Sequence, residues 1–370
     1  MFTKDDIEHL LEGLAILGTG GGGSPEWGRA ILEHDLELGR TVTLVDPEEV
    51  PDDATIASGG FMGSVKLLDR INPKDLVRRW DERFELQEAF GLMAKTIGRP
   101  IDYIVAFEMG GLNTPVILTM GARTGIPVID GDGLGRAAPE TQMVSFIGHG
   151  VSRTPMPLVD AAGNAIVVHH GVESTFPDTI GRWMITRGGG LGANAHYPMS
   201  GAQLKRCVIP NTITKATQLG AALAQARLKK ENPVLTVADQ LGGKHIHSGT
   251  ILSIEESEWE GFYFTNVSLS GGARLIIKNE TMALFMDGKP VTIFPDLIFI
   301  LDPSSGRGLM SANLKVGDEV ALVVAPCHPR LRQAMASAVG QAAFSPSRFG
   351  QPDLKYQPIE VLLPQFFGDR

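Results

Sequence analysis

The sequence predicts an α/β amino-terminal domain with a mostly parallel or mixed sheet, over residues 1–170, followed by a β-rich carboxy-terminal domain over 171–370. Three observations carry this. Residues 101–140 read as strand–helix–strand, the unit that builds parallel sheets with right-handed crossovers. Around Gly171 the texture changes to mixed, mostly helical segments. From Asn232 onward short apolar runs alternate with Gly, Asp and Pro turns, the spacing of an antiparallel β domain.

Taken in order, Thr3 caps a first helix with Asp5 and Asp6 in its first turn, and Ile7, Leu10, Leu11, Leu14 and Leu17 recur on one face. The loop Gly18-Thr19-Gly20-Gly21-Gly22-Gly23 follows, and Ser24-Pro25 starts a second helix that runs to about Leu38. A strand at Thr41–Val45 and another at Ile56–Phe61 precede a charged helix predicted over Pro73–Ile97. The central unit places strands at Ile101–Phe107 and Ile126–Ile129 around a helix at Thr114–Thr124 closed by Gly125, and another helix is expected to start at Pro139–Met143. Leu158–Asp160 and Ala165–His169 make a hairpin about Gly163-Asn164. Asn211–Lys229 is an alanine-rich connecting helix. Strands are then expected at Val234–Val237, Lys244–Ile254, Tyr263–Leu269, Arg274–Asn279, Thr281–Met286, Val291–Phe294, Leu297–Leu301 and Glu319–Ala325.

Composition narrows the function. The 370 residues are 43% hydrophobic and 20% charged, ordinary for a soluble globular chain, and the net charge of −9 argues against nucleic acid or an acidic membrane as partner. Two cysteines supply no disulfide framework, and the acidic start lacks the basic and apolar parts of a signal peptide, so a cytoplasmic protein is expected. Edge strands in a β-rich domain favour a homo-oligomer.

The best functional address lies past the two central strands. Polar groups beyond strand carboxyl ends gather in one crevice of a parallel sheet. Glu108, Asn113, Asp130, Asp132 and Arg136 are therefore expected at one site, with Glu108, Asp130 and Asp132 as acid, base or hard-cation ligands. The alternative for the two aspartates is turn capping. Arg136 fits a substrate carboxylate or a partnership with Glu140. The glycine loop follows a helix rather than a strand and has no lysine after it, so it is neither a dinucleotide fingerprint nor a phosphate loop. It reads as a tight turn or as an anion pocket at Gly20, Gly21, Gly22 and Gly23. His245 and His247, two apart on a strand, suit zinc with Cys207 as a third ligand, or ordinary hydrogen bonding on a sheet face. No serine nucleophile elbow occurs.

The stretches GTGGGGSP, GGFMGS, EMGGLNT, VIDGDGLGRAAPETQM, DAAGN, IIKNETMALF and IFPDLIFILD resemble the bacterial S-methyl thiohydantoin desulfurase family, in order along nearly the whole chain. The resemblance implies hydrolysis of an S-substituted thiohydantoin to a hydantoin with release of a thiol. It also implies that the family's motifs fall on Gly20–Gly23, Glu108, Asn113, Asp130, Asp132, Arg136 and Glu140. On that reading Asp130 or Asp132 activates water, Glu108 serves a ring nitrogen, and Gly110 and Gly111 amides meet the developing charge. Arg136 and the glycine loop hold an acidic side arm. Two other classes are an accessory subunit of a hydantoinase-type complex and a hydrolase of another cyclic amide.

Overall fold

The computed structural model describes residues 3–63, 71–259 and 262–368. Ser64, the last residue of the GGFMGS stretch, falls outside them. Helix α1 (Lys4–Leu17) begins with a capping box between Thr3 and Asp6, and α2 (Pro25–Glu37) is capped by Ser24 with Pro25 in its first turn. The amino-terminal sheet is mixed. Its strands are β1 (Leu44–Val45), β2 (Thr55–Gly63), β3 (Tyr103–Ala106), β4 (Val128–Ile129), β6 (Met156–Asp160), β7 (Ala165–Val168) and β8 (Leu191–Ser200), in the order β1-β4-β3-β2-β8-β6-β7. The first four run parallel and the last three join antiparallel. A two-residue strand β5 (Gly131–Asp132) leaves this sheet to pair with β9 (Ile209–Pro210).

Two helices replace the predicted one at Pro73–Ile97. Helix α3 (Pro73–Glu82) stops because Arg83 and Phe84 are extended, and α4 (Glu85–Ile97) restarts. The break lets the Phe84 ring join Phe61 and Trp80, and lets Arg83 pair with Glu88. Helix α5 (Asn113–Thr124) crosses between β3 and β4 and ends on Gly125 in the left-handed region. No helix starts at Pro139–Met143; Glu140, Thr141 and Gln142 instead make side-chain bonds from an irregular segment. The mostly helical reading of 172–231 fits α6 (Phe176–Arg187) but missed β8 inside it. That strand, LGANAHYPMS, is buried on both faces, so it shows no alternation, and its Gly, Asn and Pro are poor strand formers.

Helix α7 (Thr212–Lys229) is the connecting helix, and it packs tightly on α1. A Cβ on Gly13 would stand 1.9 Å from the Ala216 carbonyl, and one on Gly220 would stand 1.9 Å from that of His9, so glycine permits the crossing. Val234–Val237 lies within a helix, α8 (Pro233–Gln240): the Asn232 cap and Pro233 at the first position outweigh the β-branched residues. The carboxy-terminal sheet holds β10 (Lys244–Trp259), β11 (Phe262–Leu269), β12 (Ala273–Lys278), β13 (Glu280–Met286), β14 (Lys289–Ile293), β15 (Leu297–Leu301) and β16 (Glu319–Ala325). Every pairing is antiparallel, in the order β14-β13-β12-β11-β10-β16-β15. Thr281 Oγ1 of β13 donates to the Ile298 carbonyl of β15 at 2.7 Å, drawing the ends of the curled sheet together. After β16 the expected strand character gives way to short helices such as Pro329–Ala334 and Ala338–Ala343. Among the described residues no helix is long and apolar enough to cross a membrane.

Candidate active site

Beyond β3 the chain turns and delivers Glu108, only 3% exposed. The turn is fixed from the neighbouring strand end: the Met109 amide donates to the Arg136 carbonyl and the Gly133 amide to that of Phe107. Asn113 Nδ2 donates to Glu108 Oε1 at 2.8 Å, and the Ala138 amide donates to Oε2 at 2.8 Å. Asn113 is itself anchored, its Oδ1 accepting from the Phe61 amide. Burial pushes the Glu108 carboxyl up to about 7, against the pull of those two donors and of the Arg136 charge.

A second buried carboxyl, Glu280, comes from the other half of the molecule. It opens β13 directly after Asn279, which has a positive φ of 55°. Its Oε1 accepts from the Gly22 amide at 3.0 Å, while its Oε2 has no partner among the described residues. Burial, and then the charge of Glu108, push it up to about 8. The glycine loop thus offers its amide to the protein's own carboxyl. Its shape demands glycine, since a Cβ on Gly21 would stand 2.1 Å from Glu280 Oε1, and one on Gly22, at φ +71°, would stand 2.9 Å from the Gly110 Cα. Gly110 and Gly111 back directly onto this loop, and the Gly110 amide is spent on Thr114 Oγ1.

Glu108 and Glu280 both line a cleft of about 600 Å³ between the two halves. Gly20–Gly23, Asn113 and Glu140 line it too, and its apolar wall includes Trp27, Phe61, Met62, Phe107, Tyr263 and Met310. Sequence reasoning picked out no role for Glu280, although it lies in the stretch IIKNETMALF; the signal was an acid beside an Asn turn at a strand start.

The other expected residues stand behind the cleft wall. Asp130 Oδ1 accepts from the Ile213 and Thr214 amides and Oδ2 from Thr214 Oγ1 at 2.5 Å, so it caps α7. Asp132 Oδ2 accepts from the Leu134 and Gly135 amides, the turn-capping alternative, and burial pushes this carboxyl up to about 7. Neither is among the cleft-lining residues. Arg136, fully buried, donates to the Ala137 and Thr281 carbonyls and lies 5.0 Å over the Phe294 ring. It underlies the two glutamates and does not line the cleft. Glu140 pairs with Lys278 at 2.5 Å and with Arg348, joining the halves rather than meeting Arg136.

The three histidine and cysteine candidates are not brought together. A β-bulge separates His245 from His247; His245 Nε2 contacts Ser248 Oγ at 2.8 Å and His247 Nε2 contacts the Ser270 carbonyl at 2.7 Å. Cys207 is buried in a core to which both halves contribute, its thiol donating to the Gln203 carbonyl. Among the described residues no group of three His, Cys, Asp or Glu side chains is arranged to hold a metal ion.

Comparison with known proteins bears on the whole chain. Residues 5–170 match the family model described as the S-Me-THD-like N-terminal domain, and residues 173–359 match that of the S-Me-THD-like C-terminal domain. An X-ray crystal structure of a protein from Chromobacterium violaceum superposes with a TM-score of 0.76 at 22% identity, covering 97% of this chain and 99% of that one. At that identity the likeness speaks for the fold. No curated protein matches the chain.

Proposed function

The chain belongs to the S-Me-THD-like family, and on that premise we propose that it is a hydrolase that converts an S-substituted thiohydantoin ring to a hydantoin and releases a thiol. The observation that carries the reading is the pair of buried glutamates at the cleft, one from each half, whose proton affinities lie near and just above neutral pH. Hydrolysis at the sulfur-bearing ring carbon needs a base for water and an acid for the ring nitrogen. Glu108, held as an anion by Asn113, Ala138 and Arg136, suits the base. Glu280, which keeps its proton longer and has Oε2 free, suits the acid.

In the proposed cycle Glu280 protonates the ring nitrogen and Glu108 takes a proton from water as the new C–O bond forms. The tetrahedral carbon then loses its C–S bond. Glu108 returns its proton to the departing sulfur, and the carbon's hydroxyl gives its proton to Glu280 as the carbonyl forms. Ring and water become hydantoin and thiol, and both glutamates are restored. Aromatic and sulfur-bearing walls suit a flat, weakly polar ring, while the ring's substituent is selected by cleft shape.

The test is thiol release from a panel of S-methyl thiohydantoins, thiohydantoins and hydantoins, run with and without chelation and with metal analysis on the same sample. Turnover of the S-methyl ring, lost in Glu108→Gln and Glu280→Gln, is expected. Release that survives chelation leaves the two glutamates as the acid–base machinery; release lost with a metal makes them candidate oxygen ligands instead. No turnover on any ring would overturn the reading in favour of an accessory subunit.

A further inference from the structure

In the middle of the mixed sheet, β2 and β8 set Ser58 opposite His196 and Gly60 opposite Asn194. Side chains alternate across a strand, so these positions share the face opposite Ala57, Phe61, Ala193 and Ala195, which join the helical core. Ser58, Asn194 and His196 are at most 1% exposed. Yet Ser58 Oγ, both amide atoms of Asn194 and both ring nitrogens of His196 have no hydrogen-bond partner among the described residues. A buried polar atom left without a partner is costly, and native proteins rarely keep one. Five in one stripe therefore mark a place that holds something small and polar.

The stripe adjoins the candidate site. A Cβ on Gly60 would stand 2.8 Å from Asn113 Oδ1 and 3.0 Å from the Phe107 ring, so both side chains sit directly over that glycine. Phe107 packs edge-on against His196, with 5.3 Å between ring centres, and also lines the cleft. Asn113 is the residue that donates to Glu108. The stripe thus meets Glu108 through Asn113, and Phe107 stands between the stripe and the cleft. Burial, and next the Arg153 charge, push the His196 imidazole down to about 3, so it stays neutral. A hydroxyl, a carboxamide and a neutral imidazole together offer both donors and acceptors, which suits water.

We propose that Ser58, Asn194 and His196 hold buried water behind Phe107, and that this water solvates the Asn113–Glu108 pair. His196 is then a positioning residue for the hydrolysis proposed above, on which this role rests. Glu108 also faces Arg136, Glu280 and Asp132, and His196 faces Arg153 and Asp178; changes at His196 or Ser58 leave all of these in place. Drying the stripe removes solvation from the Glu108 anion and raises its proton affinity.

High-resolution crystal structures of the wild type and of His196→Phe, with pH profiles of thiol release for both and for His196→Gln, test this. Expected are water density bridging the three side chains in the wild type and its loss in His196→Phe. The acid limb of His196→Phe should move up by about one pH unit, leaving roughly a fifth of the rate at pH 7 with KM unchanged. His196→Gln, which keeps a donor and an acceptor, should restore the limb. Should His196→Phe not fold, Ser58→Ala removes one water partner with little change in volume and should shift the limb the same way. A wild-type structure in which protein atoms satisfy all five groups without water, or a limb that stays in place, overturns the proposal. Bridging water without turnover on any ring would uphold the water site and sink the hydrolase reading instead.

Discussion

Two adjacent strand ends of one sheet, β3 and β4, each deliver a buried carboxylate, and the two acquire opposite duties. Past β3, Glu108 faces the cleft, held by two donors and pushed up by burial. Past β4, Asp130 turns toward α7 and spends its carboxylate on two amides and a hydroxyl, while Asp132 folds back on the amides of its own turn. Both ends satisfy the rule that strand carboxyl ends gather polar groups. What separates them is which element arrives opposite. The curled sheet brings Glu280 up to Glu108, whereas the helix amino terminus of α7 arrives at Asp130.

The strongest challenge to this contrast is at the cleft carboxyls. Glu108→Gln and Glu280→Gln should each lower kcat by roughly 100- to 10,000-fold with the circular dichroism spectrum unchanged. A folded, fully active variant of either would remove the distinction. Gly21→Ala comes next: its Cβ would collide with Glu280 Oε1 and push that carboxyl off line, for a loss of about 100-fold in turnover.

A pH profile sharpens the comparison further. The base must be ionised, above about 7, and the acid protonated, below about 8, so activity should peak between these values and fall on both sides. Stability should run the other way from the usual carboxylate case. Both folded-state values lie above the ordinary 4.5, so the native protein keeps protons that the unfolded chain has released. The stability this pair contributes is therefore lost as pH rises from about 4.5 through about 8. The buried His196 and half-buried His328, both neutral and lowered from 6.5, contribute in the opposite sense below that value. Glu280→Gln should melt at a higher temperature than the wild type at pH 8 while being inactive, which calorimetry can check.

The smallest catalytic effects belong at the β4 end. Asp130→Ala should cost about 1–2 kcal/mol of stability through the lost cap on α7 and leave the folded enzyme's kcat nearly intact. Asp132→Asn keeps an acceptor for the Leu134 and Gly135 amides and should cost little turnover. A well-folded but dead Asp132→Asn would return the role of base to that aspartate and break the contrast.

Much of this architecture is local in origin and so was legible in the chain. Thr3, Ser24 and Gly125 mark helix ends by their own hydrogen-bonding and backbone preferences, and the structure has those ends where they stand. Leu297–Leu301 and Glu319–Ala325 are strands with the predicted limits because their apolar runs are bounded by Pro, Asp and Gly. Glu108 and the glycine loop were recognisable as a strand-end acid and a backbone-exposing turn. Where local preference and packing disagreed, the sequence misled: β8 is a strand because it is enclosed between β2 and β6, not because Gly, Asn and Pro favour one.

The sequence by itself determined the two-part α/β and β-rich plan, the glycine turn and the candidate acids, since each rests on neighbours within a few residues. Only the tertiary structure decided which acid faces the cleft. The Gly22–Glu280 bond spans 258 positions of chain, and the proton affinity of a carboxyl depends on burial and on charges that no short window of sequence contains.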